Sequence, residues 1–156
     1  MKISVEWERP LALRDGSRQN LMYVVDFDKV PDSAGVYVFG RRWGKNIEAL
    51  YVGKATNIRG RVKVQFNNLR LMQYLKQAKT GKRVLLFGKV ITKPGQKIDK
   101  VVSLLERALI RHFLSEGHDL VNRQGVRIRR HEVNSDGYQP KKFIPRLMFL
   151  EKAKGK

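Results

Sequence analysis

The chain has 156 residues, no cysteine, and 33 Lys+Arg against 14 Asp+Glu, a formal net charge of +19. That length suits one domain, 1–156, with a real core, and 42% hydrophobic residues with a mean hydropathy of -0.45 describe a folded chain rather than a disordered one. The absent cysteines exclude disulfides, thiolate metal sites and thiol nucleophiles, no apolar run is long enough to cross a bilayer, and the opening MKISVEWERPLALRDG has no basic-then-apolar leader, so a cytoplasmic protein is expected.

The charge is unevenly spread. Residues 1–34 hold five cations and six anions, whereas residues 35–156 hold 28 cations and eight anions. Such a surface attracts polyanions and releases their counterions on binding, which makes nucleic acid the leading partner and says nothing about catalysis.

In chain order, LMYVVDF (21–27) reads as a strand and DKVPDSAG as a turn-rich connector. GVYVFGRR (35–42) and IEALYVG (47–53) read as two strands joined by a hairpin loop at WGKN. A helix is expected from about Thr56 as N-cap, with Ile58, Val62, Phe66 and Leu69 as its apolar stripe, and LMQYLKQA continues as a second short helix. RVLLFGKVI (83–91) reads as a third strand. After KPGQ, the residues Ile98, Val101, Val102, Leu105, Leu109 and Phe113 mark a long helix stopped by Gly117. GVRIRRHEV (125–133) reads as a strand, DGYQPKKFIP as turn-rich, RLMFL as a short terminal strand, and EKAKGK as a frayed tail. This order predicts an α+β fold: a small, mainly antiparallel sheet, with three central strands, flanked by helices.

Several residues stand out chemically. If the hairpin turns about Gly44, Tyr37 and Tyr51 face each other across it, which serves sheet stability as readily as chemistry. Gly53 closes the second strand. Lys54, Arg59 and Arg61 follow it, and Arg61 borders the buried stripe of the helix, where it suits either a bidentate grip on phosphate or a snorkelling side chain. Glu106 carries a charge beside Val102, Leu109, Ile110 and Phe113. Such a carboxylate suits Mg²⁺, which needs few protein oxygens, or an ion pair with Arg107 or Arg111. His112, His118 and His131 show no metal-site spacing and read as structural or surface residues.

Gly35-Val36-Tyr37 and Tyr51-Val52-Gly53, followed by Arg61, by Glu106 in LLERALIRHF and by Asn122 in LVNRQG, resemble the GIY-YIG nucleases over about residues 31–125. LYVGKATNIRGRV is similar to the branch found in the bacterial excision-repair incision protein, where Lys54 has a counterpart. Outside that stretch lie a strand extension (1–30) and a basic extension (126–156). The resemblance implies a GIY-YIG-type fold and a metal-dependent endonuclease. Tyr37, Tyr51, Arg61 and Glu106 would be catalytic, with Glu106 holding Mg²⁺ or Mn²⁺. Gly35, Gly53, Lys54, Asn57, Arg59 and Asn122 would support the site. Its partner would be DNA in preference to RNA, its state a monomer or homodimer. One of the two tyrosines, Tyr51 in preference to Tyr37, would be the general base, its phenolate eased by Lys54 and the positive field. Two features depart from the family: a slightly long hairpin, and Gln65 where a tyrosine or histidine is frequent. A catalytically weak nucleic-acid-binding module and a basic RNA-associated protein are the competing expectations.

Overall fold

The computed structural model describes residues 2–121, 130–137 and 144–151. Its elements are β1 (Ser4–Trp7), β2 (Leu11–Ala12), β3 (Arg14–Asp15), β4 (Tyr23–Val24), β5 (Gly35–Trp43), β6 (Asn46–Ala55), α1 (Ile58–Gln65), α2 (Leu69–Gln77), β7 (Lys82–Ile91), α3 (Ile98–Ser115), β8 (Arg130–Asn134) and β9 (Leu147–Glu151). The architecture is α+β. An antiparallel sheet in the order β1-β7-β5-β6, with β2 also on β7, carries the helices, and β3-β4 and β8-β9 form two small ribbons.

β5 is buried from Gly35 to Arg41, as an inner strand covered on both faces must be. Tyr37, Phe39 and Tyr51 point into one cluster with Ile58, Val62 and Phe66 of the α1 segment and Leu71, Met72 and Leu75 of α2. Val38, Ala49 and Val52 point into a second cluster with Leu109, Ile110, Phe113 and Leu114 of α3. The sheet is therefore sandwiched, with α1 and α2 over one face and α3 over the other.

The hairpin closes in a two-residue turn, Gly44-Lys45, between β5 and β6. Gly44 has φ of 58°, the left-handed conformation that a tight hairpin needs and that glycine adopts without strain. Beyond the tip the register slips. Gly40 pairs with Ala49 but Phe39 pairs with Tyr51, so Leu50 is an extra residue in β6. This bulge overturns the expected Tyr37–Tyr51 pairing: Tyr37 faces Gly53, and Tyr51 is its diagonal neighbour.

Local capping corrects other boundaries. Asn57, not Thr56, caps α1: its Oδ1 accepts from the Gly60 amide at 3.1 Å. The amides of Ile58 and Arg59 donate to the carbonyls of Ser33 and Pro31, so the first turn of α1 is satisfied by the loop before β5. Asn68 caps α2 through the Leu71 amide at 3.1 Å. That places Leu69 outside α1, where it is 62% exposed rather than part of the apolar stripe. Arg83 closes the other end of α2, donating to the carbonyls of Leu75, Ala78 and Gly81. The strand expected over 21–27 shrinks to β4, because the Asp26 carboxylate accepts from the Asp28 amide at 3.1 Å and starts a 3₁₀ turn at Phe27–Lys29.

The long helix forms as its periodicity requires and stops at Gly117, with φ of 84° and the His118 amide bonded back to Phe113 O. Its first stripe residue, Ile98, stays exposed. Of the strand expected at 125–133, residues 125–129 lie outside the described residues, and the remainder starts β8, paired with β9. No helix among the described residues is long and apolar enough to cross a membrane.

Candidate active site

The two tyrosines meet beneath α1. Their rings stack, with centroids 6.1 Å apart and planes 27° apart, and both are almost wholly buried. Gln65 joins them: its Nε2 donates to Tyr37 Oη at 2.8 Å and to Tyr51 Oη at 3.1 Å. Asn68 Nδ2 donates to Gln65 Oε1 at 3.2 Å, so the Gln65 oxygen is already engaged and its nitrogen is the end that faces the phenols. Gln65 was anticipated only as a departure from the family pattern. The legible signal was its position, seven residues after Ile58 and three after Val62, which puts a polar side chain on the buried stripe.

Burial pushes the Tyr51 phenol well above its ordinary pKa, and the adjacent Tyr37 adds to the rise. The hydrogen bond from Gln65 and the positive charge of Arg61 pull the other way without overcoming desolvation. This corrects the expectation that Lys54 eases a Tyr51 phenolate. The cation acting on Tyr51 is Arg61, exposed on α1, and the Tyr51 phenol stays protonated at neutral pH.

Gly53 does not end its strand, since β6 continues to Ala55. Its hydrogen is required for another reason: a Cβ there would collide with Cζ and Oη of Tyr37. Gly35 opens β5 where a Cβ would strike the Gly88 carbonyl oxygen on β7. Both glycines thus set the seating of the tyrosine strand. Asn57 is spent on the α1 cap. Arg59 donates through Nε to Val30 O at 2.7 Å, tying α1 to the segment before β5.

Lys54 and Glu106 form a second group. Lys54 Nζ donates to Ser103 Oγ of α3 at 2.6 Å, and Glu106, only 8% exposed, lies one helical turn beyond Ser103. α3 covers the sheet face opposite the tyrosines, so the candidate residues divide between the two faces of β6, the outer strand of the sheet. Among the described residues no three His, Asp or Glu side chains converge. A metal here would be held by Glu106, and Mg²⁺, which needs few protein oxygens, fits such a donor.

The described chain reaches Val121, whose amide donates to Leu50 O and whose backbone bridges to Tyr51. Asn122 lies outside the described residues. His118 is structural, as expected: its Nδ1 accepts from the Ala49 amide at 3.1 Å and its ring stacks on Phe113. No protein-family model matches the chain, and no curated protein or solved structure matches it either.

Proposed function

We propose that the chain is a GIY-YIG-type endonuclease that hydrolyses phosphodiester bonds in nucleic acid, DNA in preference to RNA, with Mg²⁺ or Mn²⁺. The observation that carries this reading is the buried pair of phenols joined by one amide beneath an arginine that acts on Tyr51. An exposed arginine whose charge reaches Tyr51, on a strongly basic chain, suits a phosphate better than a neutral ligand.

In this reading Arg61 neutralises a non-bridging phosphoryl oxygen. Glu106 would hold the metal, whose chemistry would be positive charge at the phosphate and the leaving oxygen. Tyr51 orients the attacking water as a hydrogen-bond donor or acceptor. To accept the water's proton Tyr51 must first lose its own phenol proton to solvent, a loss that Gln65 and Arg61 favour and burial opposes. Tyr37 holds the Gln65 amide in place.

The burial of Tyr51 favours a second reading, a binding module that attaches to nucleic acid without cutting it. Labelled single-stranded, duplex and branched DNA and RNA, incubated with Mg²⁺, Mn²⁺ or chelator, separate the two. Metal-dependent cutting is expected from wild type and is expected to vanish in Glu106→Ala and in Arg61→Ala, each checked for folding by circular dichroism. Tight binding without cutting by wild type, or equal cutting by Glu106→Ala, would replace the nuclease with the binding module.

A further inference from the structure

The tip of the β5–β6 hairpin lies away from the tyrosines and has features that the proposed reaction does not use. Trp43, the last residue of β5, is 40% exposed. One side of its ring is covered by the Arg41 guanidinium, with Cζ 3.9 Å from the ring centroid. Arg41 is itself held: Nε donates to Glu48 Oε1 at 3.0 Å and Nη1 to Thr80 O at 2.8 Å. The indole therefore rests on a buried, doubly anchored cation. Its orientation is set before any ligand arrives, which limits the entropy lost on binding.

Apart from Glu48, which pairs with Arg41, the surroundings are cationic. Residues 40–46 and 78–83 contain six Lys or Arg and no Asp or Glu. Arg41 and Arg83 serve the fold through the bonds described above, whereas Arg42, Lys45, Lys79 and Lys82 are exposed. Arg42 and Lys82 are register partners and project from the sheet face opposite Trp43, so the hairpin tip carries positive charge on that face as well. A half-open aromatic ring at a tip bearing exposed cations matches a nucleotide: base on the ring, phosphates on the amines.

We propose that Trp43 is a stacking platform for an unpaired base, and that the chain's preferred nucleic acid therefore carries a single-stranded segment or unpaired nucleotide. The proposal rests on the nucleic-acid part of the function proposed above but not on its chemistry. Side chains at 37, 39, 41 and 43 share one face of β5. Trp43 is six residues from Tyr37, about 20 Å along an extended strand.

The test uses the full chain with Trp7→Phe, which leaves Trp43 as the single tryptophan. It is titrated with dT₁₂, with a blunt duplex of equal length and with polyglutamate, at several salt concentrations. Expected are quenching of Trp43 emission by dT₁₂ and weaker quenching by the duplex and by polyglutamate. Trp43→Ala should bind dT₁₂ about tenfold more weakly with an unchanged salt slope, and Trp43→Tyr should stay within about threefold of wild type. Salt-dependent binding with unchanged emission and full affinity in Trp43→Ala would overturn the platform and leave the nucleic-acid reading standing. Equal quenching by polyglutamate would reduce the tip to a general polyanion patch and overturn it. Absence of salt-dependent binding to either oligonucleotide would remove both.

Discussion

Gly53→Ala tests the account of the tyrosine strand most directly. The φ of Gly53 is not positive, so alanine meets no backbone strain and the effect is steric. The added Cβ would collide with the end of the Tyr37 ring and would come within 2.8 Å of Cε1. Tyr37 cannot easily yield: its ring is 1% exposed, packs edge-on against Phe39 at 5.9 Å, stacks on Tyr51 and is bonded to Gln65. Forcing extra volume into a packed core costs about 1–3 kcal/mol. Displacing the phenol from Gln65 adds about 0.5–1.5 kcal/mol. The sum, about 1.5–4.5 kcal/mol, corresponds to a fall in Tm of roughly 3–18 °C for a chain of this length. Urea unfolding followed by far-ultraviolet circular dichroism measures it, and near-ultraviolet dichroism reports the displaced tyrosine. Tyr37→Leu, which removes the ring end, should recover part of the loss in the double variant. A Gly53→Ala protein within about 0.5 kcal/mol of wild type would refute the reasoning, because that is the range of a neutral surface change.

Gln65→Leu should destabilise the protein by about 2–4 kcal/mol, since two buried phenols lose their shared partner; in a double-mutant cycle with Tyr51→Phe its effect should be non-additive. Tyr51 has a raised phenol pKa in the fold, so the unfolded chain ionises first. Stability is intact below pH ~10 and should fall above it, and Tyr51→Phe should flatten that alkaline loss in pH-dependent urea unfolding. Burial lowers the His118 pKa against the weaker opposing pull of Glu48 and Glu116. The unfolded chain then takes up the proton first, and stability should drop as pH falls through ~6.5. Protonation also removes the Nδ1 acceptor of Ala49, and the same titration should lose that acid step in His118→Gln.

The nearly continuous apolar character of GVYVF and RVLLF, the stripe over 98–113 and the glycine at 117 were legible because periodicity and turn chemistry are local properties. So was the cationic excess after residue 34. The order of the two tyrosine tripeptides, Arg61 and Glu106 is visible along the chain, but that α3 carries Glu106 on the sheet face opposite the tyrosines is not. Three further matters were left to the tertiary structure. The bulge at Leu50 decides which residue faces Tyr37, and a one-residue slip is invisible to a pattern that still places apolar side chains inward. Gln65 becomes the hub of the phenols because α1 lays its polar stripe position over them, a contact spanning 28 residues from Tyr37. Burial then sets the sign of the Tyr51 shift: the cations visible in the sequence lie in or near water, where their field is screened, while desolvation acts in full on a ring sealed between sheet and helix.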